Sequence, residues 1–129
     1  EVFIMGIIRI GTTARWSDVV IFNNVLYTVE VPTNLDAGLK DQTKEVLNSI
    51  AKILSDNGSD KKHILSVTIY LKDIAQIDEF NQIWDKWLPL GSAPVRACVE
   101  ARLANQAYLV EIQLSAAVIN TDATVKFMT

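Results

Sequence analysis

Cysteine and histidine are almost absent from this 129-residue chain, which holds one of each, Cys98 and His63. A lone cysteine excludes an internal disulfide and a cysteine-rich metal site. A lone histidine excludes metal motifs built on histidine pairs, so no metal centre is expected. Positive charge is also scarce. Lys and Arg number 12 against 15 Asp and Glu, for a net charge of −3. No dense basic cluster occurs, so the electrostatic footprint of a nucleic-acid binder is missing. No apolar run is long enough to span a bilayer. The opening stretch lacks both a basic region and a small-residue cleavage site, which argues against a signal peptide and for a cytoplasmic protein. Met5-Gly6 reads as a natural start, with the residues before it as an addition.

What is present fits one domain with one core, residues 1–129. Half the residues are hydrophobic. That slight apolar excess suits a chain that buries surface against copies of itself. Asp18 to Phe22 and Val25 to Val29 are rich in β-branched and aromatic residues and flank Asn23-Asn24, which predicts a hairpin. A short strand is expected before it, within Gly6 to Ile10. After Pro32-Thr33-Asn34, the spacing of Thr43, Val46, Leu47, Ile50, Ile53 and Leu54 predicts a helix from about Asp36 to Asn57, stopped by Gly58. His63 to Leu71 alternates like a strand with one apolar face. Asp73 can cap a second helix over about Ile74 to Trp87, with Ile77, Phe80, Ile83, Trp84 and Trp87 as its buried stripe. Two strands come next, Val95 to Arg102 and Ala107 to Val118. The order β-β-α-β-α-β-β, with the extra strand in front, predicts an α+β fold: a single mixed sheet with both helices on one face. The weakly periodic segment 119–129 reads as a tail beyond a core of about 7–118.

The run Ala93-Pro94-Val95-Arg96-Ala97-Cys98-Val99-Glu100, followed by Val110-Glu111-Ile112, carries the chemistry. By period two, Arg96, Cys98 and Glu100 share a face. If the last two strands form a hairpin centred between Leu103 and Ala104, Arg96 and Glu111 become cross-strand neighbours. Arg96 offers a planar fork suited to a carboxylate. Glu111 could orient or deprotonate a water. On the residues alone, a structural ion pair and a ligand site both fit, and the ion pair is the commoner arrangement. A lone strand cysteine is more often a small buried hydrophobe than a nucleophile. Trp84 and Trp87 fit the helix core, whereas Trp16, just before a strand, could line a cleft.

These segments resemble the RidA family, also called YjgF or L-PSP. The Pro94-x-Arg96 element, its apolar sequel and the later Val110-Glu111-Ile112 match that family's end pattern, and the likeness extends from about Ile7 to Val118. It includes Phe80-Asn81-Gln82-Ile83-Trp84 and Gln42-Thr43. The segments Ala14 to Val20 and Val31 to Asp36 look most like the YoaB-like branch. The resemblance implies a chorismate-mutase-like fold and a homotrimer with a barrel-like centre and pockets between subunits. It also implies hydrolysis of small enamine or imine carboxylates to 2-keto acids and ammonia, with no metal or organic cofactor. By this likeness Arg96 holds the substrate carboxylate and Glu111 positions the attacking water. Cys98, Trp16, Glu30 and Asn81 fall at positions that border the pocket. Trp16 stands where such deaminases carry a tyrosine, and Glu30 where they carry a glycine. The added bulk and charge at Glu30 predict a ligand other than 2-aminoacrylate. A non-catalytic, carboxylate-binding or regulatory trimer is the alternative. RNA cleavage, attached to some relatives, fits the acidic balance least.

Overall fold

A computed structural model describes residues 6–120. Met5 and the tail beyond Asn120 lie outside the described residues. The strands are β1 (Ile8–Ile10), β2 (Val19–Phe22), β3 (Val25–Glu30), β4 (Ile64–Leu71), β5 (Val95–Glu100) and β6 (Val110–Ala117), and the helices are α1 (Leu39–Asp56) and α2 (Ile77–Trp87). They form one six-stranded sheet in the order β1-β2-β3-β6-β4-β5, with both helices packed on one face. Only the β4–β5 pair is parallel; the other four are antiparallel. This is the expected α+β architecture, with the anticipated extra strand in front.

Local chemistry sets the elements. Asn23 and Asn24 both take positive φ, 51° and 61°. That is the two-residue turn whose twist suits a hairpin, and asparagine tolerates it. It sets Phe22 opposite Val25. Helix α1 begins later than its apolar spacing suggests. Asn34 to Ala37 close a turn first, and Gly38 becomes the N-cap. Glu45 reaches back from the helix to accept the backbone N–H groups of Thr33 (2.8 Å) and Asn34 (3.2 Å) and the Thr33 hydroxyl. At the other end Gly58 has φ +79°, and a Cβ there would meet the Asn120 carbonyl oxygen at 2.1 Å. Glycine is therefore required by both conformation and space. The Gly58 carbonyl accepts from the N–H groups of Ile119 and Asn120, at 2.9 and 3.0 Å. Those two residues, assigned to the tail by their weak periodicity, are thus tied to the end of α1.

The last two strands do not form the expected hairpin. Strand β4 lies between them, paired parallel to β5 and antiparallel to β6. The physical reason is α2. A parallel pair needs a crossover of a dozen or more residues, and α2 supplies it, returning the chain beside β4. The other edge of β4 is then filled by β6, reached through residues 101–109. Gln42, fully buried on α1, holds that connection. Its amide nitrogen donates to the Ala107 carbonyl at 2.9 Å, and its oxygen accepts from Leu109 N–H at 2.8 Å.

The core sits between sheet and helices. From β6 it takes Val110, Ile112, Leu114 and Ala116; from β4, Val67, Ile69 and Leu71; from α1, Val46, Leu47, Ile50 and Leu54; and from α2, Phe80 and Trp84.

Candidate functional site

The registers decide which side chains can meet. Residues opposite each other in neighbouring strands point to the same face. Arg96 lies opposite Val67 and Cys98 opposite Ile69, so both point to the helix side. Glu111 lies opposite Tyr70 and Gln113 opposite Thr68, on the open side. Arg96 and Glu111 are therefore on opposite faces and are not cross-strand partners. Both the hairpin and the ion pair it would allow are corrected by the placement of β4.

Arg96 is half-buried on the edge strand β5 and rests against α2. Its Nη2 donates to Asn81 Oδ1 at 2.8 Å. The guanidinium carbon lies 5.7 Å from the Phe80 ring centroid and 5.8 Å from that of Trp84. Among the described residues it makes no ion pair with a carboxylate. Cys98 lies two residues along the same face. Burial pushes its thiol up, against the opposing pull of the Arg96 charge. Such a thiol is a poor nucleophile at neutral pH. Glu100 continues the row, as period two predicts, and its carboxylate accepts from Ile74 N–H at 3.1 Å.

Glu111 is half-buried with no hydrogen bond or ion pair to its carboxylate among the described residues. Burial raises its pKa from the ordinary 4.5, because a desolvated carboxylate prefers to hold its proton. It sits in a row of open-face polar side chains with Gln113 and Ser115. The Ser115 hydroxyl is hydrogen-bonded to that of Ser66 at 2.7 Å. A cleft of about 340 Å³ opens on this face, lined by Tyr27, Val29, Ser66, Thr68, Gln113 and Ser115 among others.

The remaining residues fall elsewhere. Asn81 joins Arg96 directly. Glu30 lies opposite Ile112, on the helix side, in a separate cleft of about 480 Å³ with Asp18, Ser49, Lys52, Asp56 and Asn57. Burial, then the charges of Asp18 and Glu45, raises the Glu30 pKa. Within one chain Glu30 shares neither the Arg96 nor the Glu111 surroundings. Trp16 is 62% exposed in the β1–β2 loop. Its backbone is stitched to Thr13 by a 2.7 Å bond from Thr13 N–H and a 3.2 Å bond to the Thr13 hydroxyl. Two contributors escaped the sequence reading in their actual roles. Phe80 and Trp84 read as core stripe, yet they also face the Arg96 guanidinium. Their spacing, i and i+4 around Asn81, was the available signal.

Residues 7–118 match the profile of the Endoribonuclease L-PSP family. The chain belongs to this family. It is 49% identical over 114 residues to the RutC family protein YoaB of Escherichia coli K12, covering 88% of this chain and all of that protein. A RutC family protein of Haemophilus ducreyi is 42% identical over 113 residues, covering 87% and 97% of the two chains. Among solved structures, a YjgF family member from Neisseria meningitidis superposes with a TM-score of 0.84 at 41% identity, covering 90% of this chain and 98% of that one. A Salmonella typhimurium protein does so at 0.81 and 48%, covering 87% and 97%. The resemblance read from the Arg96 and Glu111 segments is therefore confirmed at the level of family and fold. Among the described residues no helix is long and apolar enough to cross a membrane, and no group of three or more His, Cys, Asp and Glu side chains could hold a metal ion.

Proposed function

We propose that this protein hydrolyses small enamine or imine carboxylates to 2-keto acids and ammonia, in clefts formed between copies of the chain in a homotrimer. One observation carries the reading. Among the described residues Arg96 is oriented but paired with no carboxylate, while Glu111 has no partner on the opposite face of the same sheet. A small ligand cannot touch both within one chain. Closed assembly lets the helix-side edge of one copy meet the open face of the next, which brings an arginine and a glutamate together.

In that cleft the N–H groups of Arg96 not engaged by Asn81 and Cys98 bind the substrate carboxylate. The raised pKa makes Glu111 a stronger base than an ordinary carboxylate. An enamine first tautomerises to the imine by moving a proton from nitrogen to the β-carbon. Glu111 then takes a proton from a water whose oxygen attacks the C=N carbon, and passes it to the nitrogen to give a carbinolamine. The carbinolamine hydroxyl gives up its proton to the nitrogen as the C–N bond breaks, leaving the keto group and ammonia. The substrate supplies carbon and nitrogen and water supplies the oxygen, so no cofactor is required. The exposed Trp16 sets which side chains the pocket admits, whereas Glu30, expected there, faces the helix side in a separate cleft; the cytoplasm is the expected site of action. RNA cleavage is not favoured, since the net charge is −3 and the four arginines, residues 9, 15, 96 and 102, are scattered along the chain.

The test is ammonia release from 2-aminoacrylate and from bulkier 2-imino acids. R96A and E111A should each lose on the order of 10²–10⁴-fold in rate while the oligomer persists. Co-refolding the two inactive variants in equal amounts should restore about a quarter of wild-type activity, because random assembly gives that share of sites one intact residue from each copy. No recovery would place both groups in one chain's site and defeat the shared cleft. Binding of 2-keto acids without ammonia release from any substrate would point to the non-catalytic carboxylate binder.

A further inference from the structure

Arg96 is held from several sides without meeting a carboxylate among the described residues. Asn81 accepts one of its N–H groups at 2.8 Å, and the Phe80 and Trp84 rings lie within 5.8 Å of the guanidinium carbon. The rings stack on each other, 6.0 Å apart with 25° between planes, and both are buried. They are therefore fixed surfaces, not mobile covers. An aromatic face attracts a cation through its quadrupole but brings no net charge. A side-chain amide is likewise a neutral acceptor. An aspartate at position 81 would orient Arg96 as well, and would also neutralise it. The neighbouring acids are engaged elsewhere: Glu100 with Ile74 N–H, and Glu79 with the Gln76 amide at 3.1 Å.

We infer that Phe80, Asn81 and Trp84 are positioning residues that form a charge-preserving clamp, orienting Arg96 while leaving its positive charge, and the donors not engaged by Asn81 and the Cys98 thiol, for a ligand carboxylate. This rests on the carboxylate-binding reading above. It changes the role of Asn81 from a residue that touches substrate to one that acts through Arg96.

Titration calorimetry of the full chain with pyruvate, alongside thermal melting, tests it. Asn81→Asp keeps size and acceptor geometry but adds the charge the clamp omits. It should weaken pyruvate binding at least about tenfold, as expected when a close ion pair competes for the same guanidinium, with Tm unchanged or raised. Trp84→Phe should bind within about twofold of wild type. Trp84→Leu should bind about three- to tenfold more weakly, the range of a partly buried cation–π contact. A merely structural role for these residues moves Tm and leaves Kd alone. Should Trp84→Leu fail to fold, Asn81→Asp decides the matter. If pyruvate gives no heat with wild-type protein, the titrations are run with a bulkier 2-keto acid, and wild-type protein that binds neither defeats the proposed function and the clamp with it. Binding lost in R96A but retained in Asn81→Asp defeats the clamp alone.

Discussion

Along β6 the residues that face the helices and those that face away have opposite characters. Val110, Ile112, Leu114 and Ala116 are at most 3% exposed. Between them stand Glu111, Gln113 and Ser115, none of which is buried. The contrast extends across the sheet. On the open side Phe22, Tyr27, Val29, Val95 and Val99 are each at least 41% exposed. One face is satisfied by this chain's own helices. The other combines uncovered apolar side chains with a carboxylate that has no partner among the described residues, a mixture typical of surfaces that meet another molecule. One half of this sheet is built to hold the chain folded, and the other half is suited to contact beyond the chain.

Alternate residues of one strand should therefore answer mutation differently. Ile112→Ala removes a fully buried side chain and should cost about 2–5 kcal/mol. Gln113→Ala, one residue on, should stay within about 0.5 kcal/mol in the isolated chain. Urea denaturation of both variants checks this. Equal losses would mean that the open face is packed as tightly as the core, and the contrast between faces would collapse.

A charge on the open face sharpens the same contrast at the level of assembly. Val29 is 47% exposed, so Val29→Lys should barely alter a lone chain. In the proposed trimer it would desolvate an ammonium at an apolar contact, a cost of several kcal/mol. Sedimentation should then show the oligomer dissociating while secondary structure is retained. An unchanged oligomer would assign the contact to another surface.

Much of this division was legible in the sequence. Period-two alternation marks the inner and outer residues of β4 and β6, and helical spacing finds the α1 and α2 stripes. Asn23-Asn24 announces its hairpin. Strand order was not legible. Adjacent strands of suitable length invite a hairpin, and nothing local in Ala101 to Leu109 says that β4 will stand between β5 and β6. That outcome depends on the α2 crossover, a tertiary event. The error propagated to the site, because the hairpin put Arg96 and Glu111 on one face. The clue to Glu30 was at hand: counting by twos from the apolar Leu26 already places it on the helix side. The roles of Phe80 and Trp84 were hidden by the ambiguity of aromatic residues, which serve a core and a cation equally well.

Glu30 is a helix-side carboxylate set among Asp18, Ser49, Lys52, Asp56 and Asn57, and it gives the smallest but most discriminating test. Burial and nearby negative charge raise its folded pKa above 4.5, so the native state binds more protons than the unfolded chain between 4.5 and that raised value. Stability then falls as pH rises through this window. Lys52 offers little relief, since it pairs with Asp56 at 2.6 Å. Glu30→Gln should therefore be more stable than wild type at neutral pH, with the gap closing as pH drops below about 4.5. Glu45 sets the opposite sign. Hydrogen bonds from the Thr33 hydroxyl and from the Asn34 and Thr33 backbones lower its pKa, so its contribution is present above 4.5 and is lost as pH falls through the lowered value. Glu45→Gln should be the less stable protein at neutral pH and should converge with wild type in acid. Chemical denaturation across pH separates the two. A Glu30→Gln protein less stable than wild type at neutral pH would mean that Glu30 is paired in solution. The cleft it lines would then belong with the satisfied half of the molecule.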